Sequence, residues 1–168
     1  MPDAAAYLSL GSNVGDRGAN LHEAIRRIEA YGSITAVSTF YETEPVEFTA
    51  QDWFLNCVVQ LETEQTPRDL LQSILDTEQS MGRKRTQSKG PRNIDIDILL
   101  FDDFVVNDAD LTIPHPAMHQ RRFVLAPLVE IAPNAVHPVL QVTAKELLEA
   151  LPAGQAVRRV DVKTVRER

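Results

Sequence analysis

Cysteine is almost missing from this chain: Cys57 is the only one in 168 residues. An internal disulfide and any multi-cysteine zinc site are therefore excluded, and a reducing compartment, the cytoplasm, is expected. Long apolar runs are missing too. No stretch approaches the roughly 20 residues of a membrane span, so no membrane partner is expected. The start, Met-Pro-Asp-Ala-Ala-Ala-Tyr, lacks a basic segment followed by an apolar one, and a secretory signal is not expected. Positive charge is scarce: 17 Lys and Arg stand against 24 Asp and Glu, a net charge of −7. That balance argues against a nucleic-acid partner, because a phosphate backbone is bound by cations spread over a surface. No Gly-x4-Gly-Lys-Ser/Thr occurs, and Gly11-Ser12-Asn13-Val14-Gly15 does not supply one, so a P-loop nucleotide site is excluded.

What is present has an ordinary globular composition, 43% apolar and 24% charged. There is no repeat, low-complexity tract or linker, and residues 1–168 read as a single domain. Tyr7 to Leu10 predicts a short strand that stops at the turn sequence Gly11-Ser12-Asn13. Asp16 or a neighbour can cap a helix whose Leu21, Ala24, Ile25 and Ile28 recur at helical spacing and which Gly32 ends. Ile34 to Tyr41 is β-branched and aromatic, hence a strand, and Phe54 to Glu62 alternates as a second one. Thr66-Pro67 opens a helix that runs to Gly82. Ile94 to Phe101 is a strongly apolar strand, and helices are predicted near Phe123 to Ile131 and Thr143 to Ala150, with a strand at 156–162. The order strand, helix, strand, strand, helix, strand is the split βαβ pattern. It implies an α+β, ferredoxin-like antiparallel sheet with helices packed mainly on one face.

The stretch Gly90-Pro91-Arg92-Asn93-Ile94-Asp95-Ile96-Asp97-Ile98 carries the chemistry. Residues two apart on a strand share a face, so Asn93, Asp95 and Asp97 line one side and the three isoleucines the other. Two close carboxylates repel each other, and a hard divalent cation such as magnesium resolves the conflict while keeping water and substrate phosphate in its shell. A polar face open to water is the plainer alternative. Just upstream, Gly82 to Arg92 carries five Lys or Arg in an otherwise acidic chain, and guanidinium forks match phosphate oxygens. A basic loop by itself is an ordinary solvated surface; together with the carboxylate pair it suits a metal–polyphosphate complex. His115 and Arg121 form a second cluster able to meet a phosphate or nucleotide. Phe54, Asn56 and Phe123 form a candidate site for a flat heterocycle, two aromatic faces and an amide to read its edge, although aromatics at such positions also serve as plain core.

Through Leu10-Gly11-Ser12-Asn13, Phe40-Tyr41-Glu42-Thr43, Phe54-Leu55-Asn56, Gly90-Pro91-Arg92, Asp95-Ile96-Asp97, and Pro114-His115 followed by Arg121 and Phe123, the chain from Tyr7 to about Pro133 resembles the 6-hydroxymethyl-7,8-dihydropterin pyrophosphokinase family. The resemblance implies a single ferredoxin-like pyrophosphokinase domain that moves pyrophosphate from ATP to the pterin and releases AMP, a step of folate biosynthesis. It implies two magnesium ions on Asp95 and Asp97, and Arg83 and Arg92 acting on the phosphates. Glu78, Arg85, Ile98, Thr112, His115 and Arg121 fall at nucleotide positions, with Ile98 and Thr112 near the adenosine. The pterin would lie between Phe54 and Phe123, its edge read by Asn56 and the backbone of Thr43 and Val46. Two positions depart from the family pattern: Lys89 stands where a Trp often precedes Gly-Pro-Arg, and Pro116 where a Tyr often follows Pro-His. A monomer is expected.

Two rival readings use the same elements. A palm-type nucleotidyltransferase also places paired Asp on a ferredoxin-like sheet, but needs a template groove that the acidic charge disfavours. A non-catalytic ferredoxin-like module binding RNA would need exposed sheet aromatics beside broad basic surface, which the Asp pair does not suit.

Overall fold

The computed structural model describes residues 3–43, 53–82, 93–154 and 157–160. The first strand, β1 (Ala4–Ser12), extends beyond the predicted Tyr7–Leu10 at both ends. α1 (Arg17–Ile28) starts where Asp16 accepts a hydrogen bond from the Ala19 N–H, as N-cap chemistry requires. A 3-10 turn, Glu29–Tyr31, then leads to Gly32. There a Cβ would sit 2.2 Å from the Glu62 carbonyl oxygen, so only glycine lets the two backbones pass.

The predicted strand from Ile34 to Tyr41 is two strands, β2 (Ser33–Val37) and β3 (Phe40–Thr43), laid end to end along the same edge of β4 (Phe54–Thr63). Ser38 makes the break: its N–H donates to the Val58 carbonyl and its Oγ accepts from the Val58 N–H, both at 2.9 Å. A side chain thus replaces a ladder rung, and the chain kinks without leaving a buried backbone group unpaired. α2 (Pro67–Ser80) is capped by Thr66 and ends before Gly82, whose φ of 88° stops the helix. β5 (Asp95–Phe101) follows, then the hairpin of β6 (Val106–Asn107) and β7 (Thr112–Ile113), and α3 (Arg122–Ile131). β8 (Val136–His137) and β9 (Val142–Thr143) pair as a second small hairpin that the sequence reading did not include. It leads into α4 (Ala144–Ala150), and β10 (Val157–Val160) falls inside the predicted 156–162.

Among the described residues the main sheet runs β10-β3-β4-β1-β5, with β2 also on β4, and every pairing is antiparallel. This is the ferredoxin-like α+β arrangement. α1 and α2 cover one face, where Leu21, Ala24, Ile28, Leu70 and Ile74 pack on Leu55, Cys57, Val59 and Leu61 of β4 and Ile96 and Ile98 of β5. The other face is covered as well, which "mainly on one face" did not anticipate: Val124, Leu125 and Leu128 of α3, with Ala144 of α4, close over Val58, Leu99 and Leu100. The reason is local. Val58 interrupts the polar side of β4, and both Leu99 and Leu100 are apolar, so mid-sheet neither face can be left to water. No helix among the described residues is long and apolar enough to cross a membrane.

Candidate active site

Both β4 and β5 pair antiparallel with β1, so they run parallel to each other and begin at the same end of the sheet. The register places Asn56, Gly11 and Asp95 side by side across three strands, and Val58, Ser9 and Asp97 in the next row. Neighbouring strands lie about 4.8 Å apart, so the Asn56 and Asp95 backbones stand roughly 10 Å from one another. Asp95 and Asp97 are half-buried and alternate with the buried Ile94, Ile96 and Ile98, as the strand period demands. Between them the Ile96 N–H donates to the buried Glu78 carboxylate at 2.8 Å, which fixes the backbone that carries both aspartates.

On the heterocycle side, Asn56 is 4% exposed and its Nδ2 donates to Thr43 Oγ1 at 2.7 Å. The amide is therefore held from β3, across the strand pair that joins Thr43 to Phe54. Gly11 makes room for it: a Cβ there would stand 2.7 Å from Asn56 Oδ1 and 3.6 Å from the Phe54 ring. Sequence reasoning quoted Gly11 only as a turn residue. Its role in the site shows once the register sets it between Asn56 and Asp95.

A third group closes the row. The His115 N–H donates to the Leu99 carbonyl at 2.9 Å, which anchors the loop after β7 to β5. His115 Nδ1 accepts from the Ala117 N–H at 3.1 Å, leaving the proton of the neutral ring on Nε2. Burial foremost, then the Arg121 charge, lowers the His115 pKa to about 4 against the pull of Asp95, so a neutral Nε2–H donor faces the cleft at physiological pH. Arg121 lies with its guanidinium 5.5 Å from the centre of the Phe123 ring, linking the phosphate side of the cleft to the aromatic side.

Of the residues singled out from sequence, Asp95, Asp97, His115, Arg121 and Phe123 thus gather on one side and Thr43, Phe54 and Asn56 on the other. Thr112 is half-buried in the hairpin that packs on β5. Glu78 lies beneath β5, and the Ile98 side chain, 6% exposed, points into the core on the face opposite the aspartates. Val46, Arg83, Arg85 and Arg92 lie outside the described residues, as does the basic segment as a whole. The Trp53 carbonyl accepts from Arg17 Nη1 at 2.9 Å, and Cys57 faces the core.

The donor set can be matched to a metal by its chemistry. Two hard carboxylates share one half-buried strand face, and among the described residues no group of three or more His, Cys, Asp or Glu gathers into a protein cage. Magnesium is bound in this manner, through one or two carboxylates with waters and substrate phosphates completing the shell. The residues fit it.

A ferredoxin-like sheet with a carboxylate pair on one strand and an amide-and-aromatic pocket two strands away defines a site suited to a polyphosphate beside a flat heterocycle. The chain belongs to the 7,8-dihydro-6-hydroxymethylpterin-pyrophosphokinase (HPPK) family, whose profile matches residues 7–133. It is 44% identical over 159 residues to the 2-amino-4-hydroxy-6-hydroxymethyldihydropteridine pyrophosphokinase of Methylorubrum extorquens, covering 93% of this chain and 98% of that one. The Aquifex aeolicus protein of the same name is 43% identical over 143 residues, 85% of this chain and 89% of its own. The folic acid synthesis protein FOL1 of Dictyostelium discoideum is 41% identical over 154 residues, 92% of this chain, but the match spans only 23% of that longer protein. Among solved structures, Plasmodium falciparum HPPK-DHPS superposes with a TM-score of 0.73 at 19% identity, over 89% of this chain and 45% of that one, a likeness of fold.

Proposed function

We propose that this chain transfers pyrophosphate from ATP to 6-hydroxymethyl-7,8-dihydropterin, giving the pterin diphosphate and AMP in folate biosynthesis. The observation that carries the reading is the cross-strand row Asn56, Gly11, Asp95, which holds an amide reader and a carboxylate pair on one rigid sheet, in a chain of this family. Asp95 and Asp97 would hold magnesium, two ions in all, which when bound offsets charge on the triphosphate. Phe54 and Phe123 stack the pterin ring, while Asn56, steadied by Thr43, reads its edge with the backbone of Thr43 and Val46. Arg83, Arg85 and Arg92 supply phosphate contacts, Glu78, Ile98 and Thr112 border the nucleotide, and His115 Nε2–H and Arg121 donate to phosphate oxygens. The hydroxymethyl oxygen attacks the β-phosphorus, its proton passes to solvent water, and the bond from the β-phosphorus to the α-phosphate oxygen breaks with its electron pair on AMP. Positioning and electrostatic stabilisation supply most of the acceleration. The chain works as a monomer in the cytoplasm without a nucleic-acid or membrane partner.

Mixing the protein with ATP, magnesium and the reduced pterin tests this. AMP and pterin diphosphate are the expected products. ADP would mean transfer of a single phosphate, and inorganic pyrophosphate with a nucleotidyl adduct would mean a nucleotidyltransferase; either result overturns the reading.

A further inference from the structure

Beneath the heterocycle pocket, on the opposite side of the sheet, lies an ion-pair network that the functional reading does not use. Thr43 and Phe54 face each other at the open ends of β3 and β4. Glu42 and Trp53 are their chain neighbours. Glu42 pairs in register with Leu55, whose side chain packs under α1, so Glu42 points away from the pocket toward the start of that helix. There Arg17, the first residue of α1, donates from Nη2 to Glu42 Oε2 at 2.8 Å and from Nη1 to the Trp53 carbonyl at 2.9 Å. One planar fork thus bridges the last turn of β3 to the residue before β4. The Arg17 and Glu42 side chains are only 15% and 16% exposed.

From the outer edge, Arg158 of β10 donates from Nε and Nη2 to the other Glu42 oxygen at 3.0 and 2.8 Å, and its guanidinium lies 5.0 Å from the centre of the Trp53 ring. Trp53 is therefore fixed by its carbonyl to Arg17 and by its ring to Arg158, with Glu42 joining the two. A cation in the first turn of a helix opposes the helix dipole, so α1 does not gain from Arg17 where it stands; its partners lie 25 and 36 residues away, at the stem of the pocket. Burial alone would raise the Glu42 pKa, but the hydrogen bonds from Arg17 and Arg158 outweigh it and hold the carboxyl below its ordinary value, keeping it ionised at neutral pH.

We propose that Arg17 is a positioning residue for the pterin pocket: by clamping Glu42 to Trp53 it keeps the paired ends of β3 and β4, and with them Thr43 and Phe54, from fraying, and Arg158 reinforces it from the C-terminal strand. The inference deepens the functional reading above and rests on it. Lysine cannot replace arginine fully, because a single ammonium lacks the fork that spans both acceptors.

The test compares Arg17→Gln, Arg17→Lys and Arg158→Gln with wild type, titrating each with the pterin and, separately, with a non-hydrolysable ATP analogue, alongside melting temperature and steady-state kinetics. Small misplacements around a bound substrate cost up to about a hundredfold. Arg17→Gln should lose about tenfold or more in pterin affinity with ATP-analogue affinity unchanged and the loss appearing in KM for pterin, not in kcat. Arg17→Lys should recover part of it, and Arg158→Gln should show a smaller loss of the same kind. Equal losses for both ligands, or a lower melting temperature with pterin affinity intact, would overturn the proposal. If Arg17→Gln does not fold, Arg158→Gln decides by the same criteria, since its side chain stands at an exposed edge. A wild type that forms no AMP overturns the functional reading together with this one, whereas an active wild type whose variants keep pterin affinity overturns this inference alone.

Discussion

At Asp97 the side chain is half-buried beside a second carboxylate, so its loss removes a proposed metal ligand without opening a core cavity. Asp97→Ala should abolish AMP formation even in excess magnesium while circular dichroism and the thermal melt stay near wild type. Gly11 makes the opposite case, a residue that matters through the atoms it lacks. In Gly11→Ala the new Cβ, 2.7 Å from Asn56 Oδ1, drives the amide off Thr43 and away from the pterin edge. An unmet buried polar edge costs about 1 to 3 kcal/mol, so pterin affinity should fall about ten- to a hundredfold by calorimetric titration, with ATP-analogue binding spared. His115 gives a pH signature. Its pKa is lowered to about 4 from an ordinary 6.5, so between those values the unfolded chain holds a proton that the native state does not. Stability should therefore rise with pH through that window and level off above it. In melts at pH 5 and pH 7.5, His115→Gln should narrow the gap. Asp95, Asp97 and Asn56 were legible in the sequence because strand alternation assigns each a face. Gly11 and Arg17 were not: a missing side chain leaves no pattern to read, and Arg17 meets partners that only the fold brings near.

Helices were legible because their signals are local. Asp16, Thr66 and Thr143 each announce a start, and each accepts the capping hydrogen bond in the structure. Thr143 and Glu146 form a reciprocal capping box at α4, with the Glu146 N–H on Thr143 Oγ1 at 3.1 Å and the Thr143 N–H on Glu146 Oε1 at 2.9 Å. Thr143→Ala should cost about 1 kcal/mol, measurable as a lower urea midpoint at unchanged slope, with kcat untouched because the partners of Thr143, Glu146 and the β8 strand, are none of the site residues. The break at Ser38 was illegible for the converse reason. It depends on Val58 across the sheet and on Glu130 of α3, which accepts from the Thr39 N–H at 2.9 Å and from the Tyr41 hydroxyl at 2.6 Å. Covering of the second face had two traces in the sequence, Val58 on the polar side of β4 and the adjacent apolar Leu99 and Leu100 in β5, too small a departure from alternation to place two helices.

For the molecule as a whole, element order was enough to indicate the ferredoxin-like sheet, since few topologies join a split βαβ pair without crossing connections. The core beneath α1 and α2 also supplies a built-in reporter. Cys57 is fully buried, and burial pushes its thiol far above the usual range, so an alkylating reagent meets a thiolate only after global opening. Iodoacetamide labelling should therefore track unfolding. A saturating ATP analogue should slow it by the factor expected from mass action on the native state.

Because Asn56 and Asp95 sit on strands that share β1 as their common neighbour, the reach from one substrate's edge to the other's phosphates is gauged by a lattice of backbone hydrogen bonds. A separation set in this way resists side-chain substitution and yields only to a slip of strand register, and a slip of one residue would turn every side chain of that strand to the opposite face.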